Sequence, residues 1–465
     1  MKFNIKYYLN INNLTIPDWV SSQVFIFEKE KRAYIYNERT HTDFLLEDES
    51  AILWNAFVES SKETTSYEDC FVEFESDNLE DDISDFVDTL IAEDLLINAN
   101  YRVNSCEFLA YDRNEDKAEQ ELFQIEKQKW CLEHNILESL SIELTYNCNL
   151  KCIHCYNDKS IKNYEISFED IKPVIDDAKK LGVMSISLSG GECTLAKDFL
   201  KIAKYIREQR ISLSIITNGQ VFYDNPEMLE EFIKLYPSRI SFSLYAMNEQ
   251  IHDKITSVTG SHKKTLSVIN KLCKNNVPVE IKSFQTKYNV LDFENVRDFA
   301  EKVGASFNIN DSLLYNKSGS NSCIQTSEEQ SYLLYKEIYK DEKILPKKFD
   351  EEFFNQQICL AGYSTLTISP QLQIKLCAAL NIVLADLKKD SLYDLWMNSE
   401  KYPNFKLWRN LRRKDLKECY KYDYCHYCTY CPGKAYYKNG YLKKSEVCCR
   451  DAKIKMRIAQ EQTKH

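Results

Sequence analysis

Apolar residues recur at two different spacings along this chain, and the changes of spacing divide it into four stretches. Near the start, Gln23–Glu28 and Ala33–Asn37 have the composition of strands. Leu46–Ser60 then turns helical, with Ile52, Leu53, Ala56 and Phe57 on one face. A second helical pattern runs through Ile83–Glu93 with Phe86, Leu90 and Ile91, followed by the apolar Leu95–Ile97. Strands followed by helices predict a compact winged-helix-like unit over residues 1–103. Residues 104–138 begin with a polar, charged run and read as a connecting helix or linker. Strands and helices then alternate with regularity. Ser139–Leu144 is a strand entering a cysteine loop, and Ser167 reads as an N-cap with Asp170 at the third helical position. Ile171, Val174, Ile175, Ala178 and Leu181 share the face of that helix, which Gly182 closes. Further strands are expected at Met184–Ser189, Ile211–Ile216, Arg239–Leu244, Val277–Phe284 and Ala305–Asn310. Helical patterns separate them around Asp198–Glu208, Pro226–Leu235, Lys263–Lys274 and Phe293–Val303. Six β–α steps imply an α/β fold with a parallel sheet and helices outside, an open six-strand barrel over residues 139–350 and not a closed eight-fold one. Over residues 351–465, short strands at Tyr363–Ser369 and Leu372–Ala378 precede a cysteine-dense, Tyr-rich segment with little periodicity. Such a segment lacks a normal apolar core, so metal clusters are expected to organise it.

Composition changes this picture through cysteine and charge. The chain has 465 residues and no run of about 18 apolar residues, so no membrane-spanning helix is expected. The start, MKFNIKYYLNINNLTIPDW, lacks an uninterrupted apolar core and a small-residue cleavage site, which points to a cytoplasmic protein. In a reducing compartment the 17 cysteines are not a disulfide framework. Three lie in Cys148–Cys155 and eight between Cys359 and Cys449, while Cys70, Cys106, Cys131, Cys193, Cys273 and Cys323 are scattered. Clustering of this kind means metal or redox chemistry. Residues His41–Leu90 carry 16 Asp/Glu against one Lys, which argues against nucleic acid as a partner of this region. Residues Lys401–His465 carry 17 Lys/Arg against 6 Asp/Glu. The basic tail coincides with the cysteine-rich tail, and cations near an anionic iron–sulfur cluster would help to stabilise it.

Cys148-Asn-Leu-Lys-Cys152-Ile-His-Cys155 follows a strand directly. Three thiolates on one tight loop can hold three irons of a 4Fe–4S cluster and leave the fourth open to a substrate or cofactor. A zinc loop is the alternative, but no fourth Cys or His lies at finger spacing apart from His154 within the loop. The run resembles the radical S-adenosylmethionine (SAM) superfamily signature, in which an aromatic residue or His precedes the third Cys, here His154. Ser189-Gly190-Gly191-Glu192 resembles the family's second element, a turn that receives the methionyl amino group of SAM. Glycines permit close backbone approach, and a carboxylate pairs with an ammonium. The family usually has Pro after the Glu, where this chain has Cys193. That substitution either alters only the turn or sets a thiol near the cofactor. Thr217-Asn218-Gly219 ends a strand as the family's equivalent does. Ser243-Leu-Tyr245, with His252-Asp253 and Gly260-Ser261, resembles the strand and loop from which peptide-modifying members contact the SAM ribose. Ser243 carries that role over by resemblance, while His252 and Asp253 are equally readable as loop or capping residues.

The second cysteine field runs Cys359-x2-Gly362, Cys377, Cys419-x5-Cys425-x2-Cys428-x2-Cys431-Pro432-Gly433 and Cys448-Cys449. It is similar to the SPASM extension of radical SAM maturases, which binds two auxiliary 4Fe–4S clusters. By that resemblance Cys359, Cys377 and Cys431 serve the cluster nearer the active site, and Cys419, Cys425, Cys428 and Cys449 serve the outer one. The usual pattern has a Cys at Tyr422, for which Cys425 would substitute. Cys448 competes with Cys449 and is also a candidate for the missing ligand of the first auxiliary cluster. The N-terminal run AYIYNERTHTDFLLEDESAILWNAF, with the later LIAEDLLI, is similar to the PqqD-like element through which peptide maturases recognise a precursor. Such an element binds a leader by adding a strand to its sheet edge.

The resemblance implies a radical SAM/SPASM enzyme acting on a ribosomally made precursor peptide. Its 5′-deoxyadenosyl radical would abstract hydrogen from an unactivated C–H, with electrons from a flavodoxin or ferredoxin. The expected product is a Cys-to-carbon thioether. Carbon–carbon or carbon–oxygen crosslinking is the next reading, followed by epimerisation with Cys193, Cys273 or Cys323 as hydrogen donor. A sulfatase-type maturase or a non-enzymatic iron–sulfur or zinc adaptor are the further alternatives.

Overall fold

The computed structural model describes residues 2–61, 71–73, 79–101, 108–109, 117–157, 164–310, 314, 316 and 320–463. Cys70 and Cys106 lie outside the described residues.

Three antiparallel strands, β1 (Val20–Ile26), β2 (Lys31–Asn37) and β3 (Thr42–Glu47), form the N-terminal sheet in the order β1-β2-β3. Helix α1 (Asp48–Ser60) backs one face, burying Trp54 and Phe57, and helix α2 (Leu79–Ala92) packs beyond it through Phe86 against Phe57. The expected helix from Leu46 is shorter than its pattern. Leu46 and Glu47 belong to β3, where Leu46 pairs with Ala33 and Glu47 with Arg32, and Asp48 at φ +48° turns the chain into α1. The connecting stretch contains a helix, α3 (Lys117–Glu133), whose Phe123 and Trp130 cover Phe25 and Tyr34 on the other face of the sheet.

The larger sheet has nine strands. Six run parallel and in sequence order: β4 (Ser139–Thr145), β5 (Ser185–Gly190), β6 (Ser212–Thr217), β7 (Arg239–Ser243), β8 (Val279–Phe284) and β9 (Ser306–Asn310). These are the six expected β–α steps. Helix α4 (Phe168–Lys180) starts at Ser167, whose hydroxyl accepts the Asp170 N–H, and ends beside Gly182 at φ +77°. Helix α5 (Phe199–Glu208) and helix α6 (Ser261–Cys273) follow on the outside. Leu140, Ile142, Leu144, Ile186, Leu188, Leu213 and Ile215 are at most 1% exposed and face this helical layer. The alternate positions bear hydroxyls: Ser139 pairs with Ser185 and Ser185 with Ser212, Ser141 with Ser187 and Ser187 with Ser214. Most of these are half-buried, so the inner wall of the barrel is polar and accessible.

The remaining three strands come from the C-terminal part and extend the same sheet. Strand β10 (Thr365–Ile368) runs parallel to β4, and β11 (Gln373–Cys377) and β12 (Leu380–Asp386) continue antiparallel. The sequence reading includes β10 and β11 but not β12.

Candidate radical SAM site and its thiol groups

Strand β4 delivers the chain to Cys148, and the loop that follows is held on two sides. The Lys151 and Ile153 N–H groups donate to the Thr256 and Ile255 carbonyls at 3.0 and 2.9 Å. On the other side, the Gly191 N–H donates to Thr145 O at 2.7 Å and the Glu192 N–H to Asn147 O at 2.9 Å. The turn after β5 is therefore stitched to the three residues before Cys148. This explains the paired glycines. Gly190 has φ +133°, and a Cβ on it would lie 2.3 Å from Thr145 O, while one on Gly191 would lie 2.4 Å from Asn147 O. No side chain fits at either position.

Glu192 is 1% exposed and accepts hydrogen bonds from Thr194 N–H and Oγ1 (3.3 and 2.7 Å), Thr217 Oγ1 (2.7 Å) and the Asn218 N–H (2.7 Å). Burial raises its pKa, and these donors pull it back. Among the described residues no cation forms an ion pair with it. A buried carboxylate fixed by neutral donors alone is suited to an incoming ammonium, so the residues fit the methionyl end of SAM. Asn218 also donates to Cys148 Sγ at 3.8 Å and Asn149 Oδ1 at 2.7 Å, joining the Thr217-Asn218-Gly219 turn to the thiol loop.

Desolvation around the sulfur pushes the Cys148 thiol up to about 11, although the residue itself is exposed, and burial with the neighbouring thiols pushes Cys152 up to about 12. Thiols so disposed ionise only against a compensating cation, as a metal cluster would supply. His154 is buried, its ring edge-on to Tyr245 at 4.7 Å and stacked on Phe284 at 5.4 Å. Ser243 lies at the end of β7, and its side chain and the Cys152 thiol both lie near the Tyr245 hydroxyl. Tyr245 is a residue the sequence reading does not single out, although it stands in the quoted Ser-Leu-Tyr run. His252 and Asp253 are framework. The Tyr245 N–H donates to His252 Nδ1 at 3.2 Å, and Asp253 accepts from Gly260 N–H, Ser261 Oγ and His262 N–H. Cys193 is fully buried, donates toward Ile216 O at 3.4 Å, and is held well above its usual pKa by burial. Cys273 ends α6 at the opposite end of the barrel from the loop.

The C-terminal thiols fall into two further groups. Cys359, Cys377 and Cys431 lie within electrostatic reach of one another, and burial pushes Cys377 up to about 11. Cys419, Cys425, Cys428, Cys448 and Cys449 line one cavity with four tyrosines, and burial pushes Cys419 up to about 12. Tyr422 is 53% exposed at its rim, whereas Cys425 is buried. Cys448 also feels Cys431, so it stands between the two groups. Lys444 favours the Cys449 thiolate and Lys434 that of Cys448, two contributions of the basic tail. Among the described residues, no three His, Cys, Asp or Glu side chains converge on a single-ion site.

Residues 142–303 match the family model described as the radical SAM superfamily. The chain thus carries a radical SAM domain, and its central parallel sheet is the fold of that class. The AdoMet-dependent heme synthase of Methanosarcina barkeri is 24% identical over 337 residues, 66% of this chain and 94% of that protein. The antilisterial bacteriocin subtilosin biosynthesis protein AlbA of Bacillus subtilis is 26% identical over 320 residues, 66% of this chain and 70% of that protein. In fold, Streptococcus suis SuiB, solved bound to its precursor peptide SuiA, covers 94% of this chain and 99% of its own at a TM-score of 0.56 and 15% identity. No described helix is long and apolar enough to cross a membrane.

Proposed function

We propose that this chain is a radical SAM peptide maturase that installs Cys-to-carbon thioether crosslinks in a ribosomally made precursor. The observation that carries the reading is the partition of the thiols into three groups, two of them beyond the radical SAM domain and one of these at Cys377 on the strand sheet continuous with β4. Cys148, Cys152 and Cys155 would hold the SAM-binding cluster, with His154, Ser189, Gly190, Gly191, Glu192 and Ser243 around SAM. Cys359, Cys377 and Cys431 would hold one auxiliary cluster, and Cys419, Cys425, Cys428 and Cys449 the other. When bound, the first cluster and SAM supply a 5′-deoxyadenosyl radical. The protein holds the ammonium at Glu192, excludes solvent behind Tyr245 and Phe284, and offers an extended peptide the hydroxyl wall of β4, β5 and β6. Residues 1–103 would recognise the leader at the edge strand β3 of the three-stranded sheet, with a cellular flavodoxin or ferredoxin as electron donor.

The likeness to AdoMet-dependent heme synthase favours a tetrapyrrole as the second reading. A wall of serines suits peptide amides better than an apolar macrocycle. Anaerobic reconstitution tests both. About twelve irons per chain, 5′-deoxyadenosine from SAM, and loss of two hydrogens per crosslink from a co-expressed short Cys-rich peptide encoded beside the gene support the maturase. Turnover of a porphyrin without any change to the peptide overturns it, and bound zinc without SAM cleavage leaves only an adaptor.

A further inference from the structure

The cavity that gathers Cys419, Cys425, Cys428, Cys448 and Cys449 meets the surface at two stacked tyrosines. Tyr422 and Tyr424 stand at the start of a short 3-10 turn (Asp423–Tyr427), their rings 5.3 Å apart and 8° from parallel. Tyr424 is half-buried, and its hydroxyl lies near the Cys449 thiol. Tyr422 is the exposed member of the stack. The two rings thus lead from solvent to the thiols. Tyr422 stands where the SPASM pattern has a Cys, and the proposed chemistry gives it no task.

Lysines surround the pair. Lys453, on helix α7 (Glu446–Gln462), lies over the Tyr424 ring at 5.2 Å. Lys421 precedes Tyr422 and is exposed, as are Lys417, Lys443 and Lys444. Lys443 is paired with Glu418 at 3.0 Å, whereas Lys417 and Lys421 make no ion pair among the described residues. Against these five lysines stand Glu418, Asp423 and Glu446. The sign is opposite to that of the chain as a whole, whose net charge is −11 and whose residues 41–90 carry 16 Asp/Glu against one Lys. An acidic protein is therefore repelled by the N-terminal unit and attracted to this face. Exposed aromatic area within a charged rim is also the anatomy of a protein interface. Electron exchange demands a short separation between carrier and centre, and here a thiol group comes close to the surface.

We propose that this face is the docking surface for an acidic one-electron carrier protein, which meets Tyr422 and the surrounding lysines and exchanges an electron with a centre held by Cys419, Cys425, Cys428 and Cys449. The proposal rests on the reading of these four thiols as cluster ligands. One electron passes in each encounter; the carrier is oxidised as the centre is reduced, or the reverse, and no bond forms or breaks.

The test is binding of an acidic flavodoxin, in its oxidised form, to the anaerobically reconstituted full chain, read by flavin fluorescence at about 0.05 and about 0.3 M salt. Affinity should fall at least about tenfold across that range, as screening removes the attraction. Lys421→Glu/Lys453→Glu should weaken binding at low salt by at least about tenfold and flatten the salt dependence. Tyr422→Ala should weaken it about tenfold at both salt concentrations. Lys263→Glu, at an exposed position on α6, is the control and should change neither. The ratio of SAM cleavage driven by reduced flavodoxin to that driven by dithionite should fall in step with affinity. If Tyr422→Ala does not hold iron, the charge reversals still carry the test. Unchanged affinity in the double variant, or an equal loss in Lys263→Glu, overturns the proposal. So does a single-stranded oligonucleotide whose binding depends on Lys421 and Lys453 while flavodoxin stays unbound. A parent chain with only about four irons overturns the ligand reading and this electron route together, whereas about twelve irons with binding indifferent to the two lysines overturns this proposal alone.

Discussion

Arg207→Met should detach the N-terminal sheet from the barrel. Arg207 ends helix α5, and its Nη1 donates to Glu38 Oε1 at 2.6 Å and to Ile211 O at 3.1 Å, while Nη2 donates to Asp18 O at 2.7 Å. Glu38 is fully buried and Arg207 5% exposed at its side chain. Arg210 reinforces the contact through the Ile16, Pro17 and Val20 carbonyls, and the Ser22 N–H donates back to Arg210 O. Removing one partner of a buried pair costs about 3–5 kcal/mol, because the other charge remains uncompensated. Removing both charges in Glu38→Gln/Arg207→Met should recover much of that loss. The pH dependence has a definite sign. Burial already raises Glu38, with Arg207 opposing, so loss of Arg207 raises it further. A carboxylate with a raised folded pKa contributes stability fully below its unfolded pKa and loses it as pH rises through the folded value. The deficit of Arg207→Met should therefore grow from pH 5 to pH 8. Urea unfolding followed by tryptophan fluorescence, which includes Trp19 and Trp54 of the N-terminal unit, reads this directly. A loss below about 1 kcal/mol, or one flat in pH, would refute the argument.

Four further outcomes follow from the same geometry. Gly191→Ala should abolish SAM binding, since its Cβ would meet Asn147 O at 2.4 Å, and equilibrium binding of SAM to the reconstituted chain checks it. Glu192→Gln keeps one acceptor for the Thr194 and Thr217 donors but sets its amide N–H₂ against the Asn218 N–H and removes the negative charge; SAM affinity should fall at least about tenfold, with about 1–3 kcal/mol of stability lost in urea unfolding. Cys449→Ser should remove about four of twelve irons, whereas Cys448→Ser should leave the count unchanged, as measured by iron per chain. His252, lowered from 6.5 to about 3 chiefly by burial, stays neutral in the fold. Stability should fall as pH drops from 6.5 toward 3, by at most about 5 kcal/mol, and His252→Gln should flatten that slope in thermal melts.

The barrel was legible because its strands and helices announce themselves locally. Ser167 and Asp170 form the expected cap, and all six parallel strands begin within two residues of their predicted starts. The thiol loop and the Gly190-Gly191-Glu192 turn were legible for the same reason, since each is a short run whose chemistry is in its composition. What stayed hidden depends on distant partners. Strand β12 has an ordinary apolar sequence and becomes a strand only because β11 lies beside it. Leu46 and Glu47 read as helix until β2 supplies a partner. Lys375 and Glu143, which form a buried ion pair, are 232 positions apart, and nothing within either run points to the other. The alternating serines of β4, β5 and β6 were visible as letters, but their shared inward face follows from register alone.

The link between the two ends of the chain follows from the barrel being open. A closed barrel has no edges, but a six-stranded one leaves β4 with an unpaired side directly beneath the thiol loop. That edge must be covered, and here the C-terminal hairpin covers it, with Thr365, Leu366, Thr367 and Ile368 pairing Ser139 through Ile142. The register that satisfies the edge also carries β11 past Glu143 and ends it at Cys377. One backbone requirement thus sets Cys377 level with Ser139, at the end of β4 away from Cys148, and Lys375 level with Ser141, from where its ammonium reaches Glu143. Shifting this hairpin by one residue would turn Lys375 and Cys377 to the other face together, so the spacing of the thiol groups and the burial of the charged pair are a single structural choice.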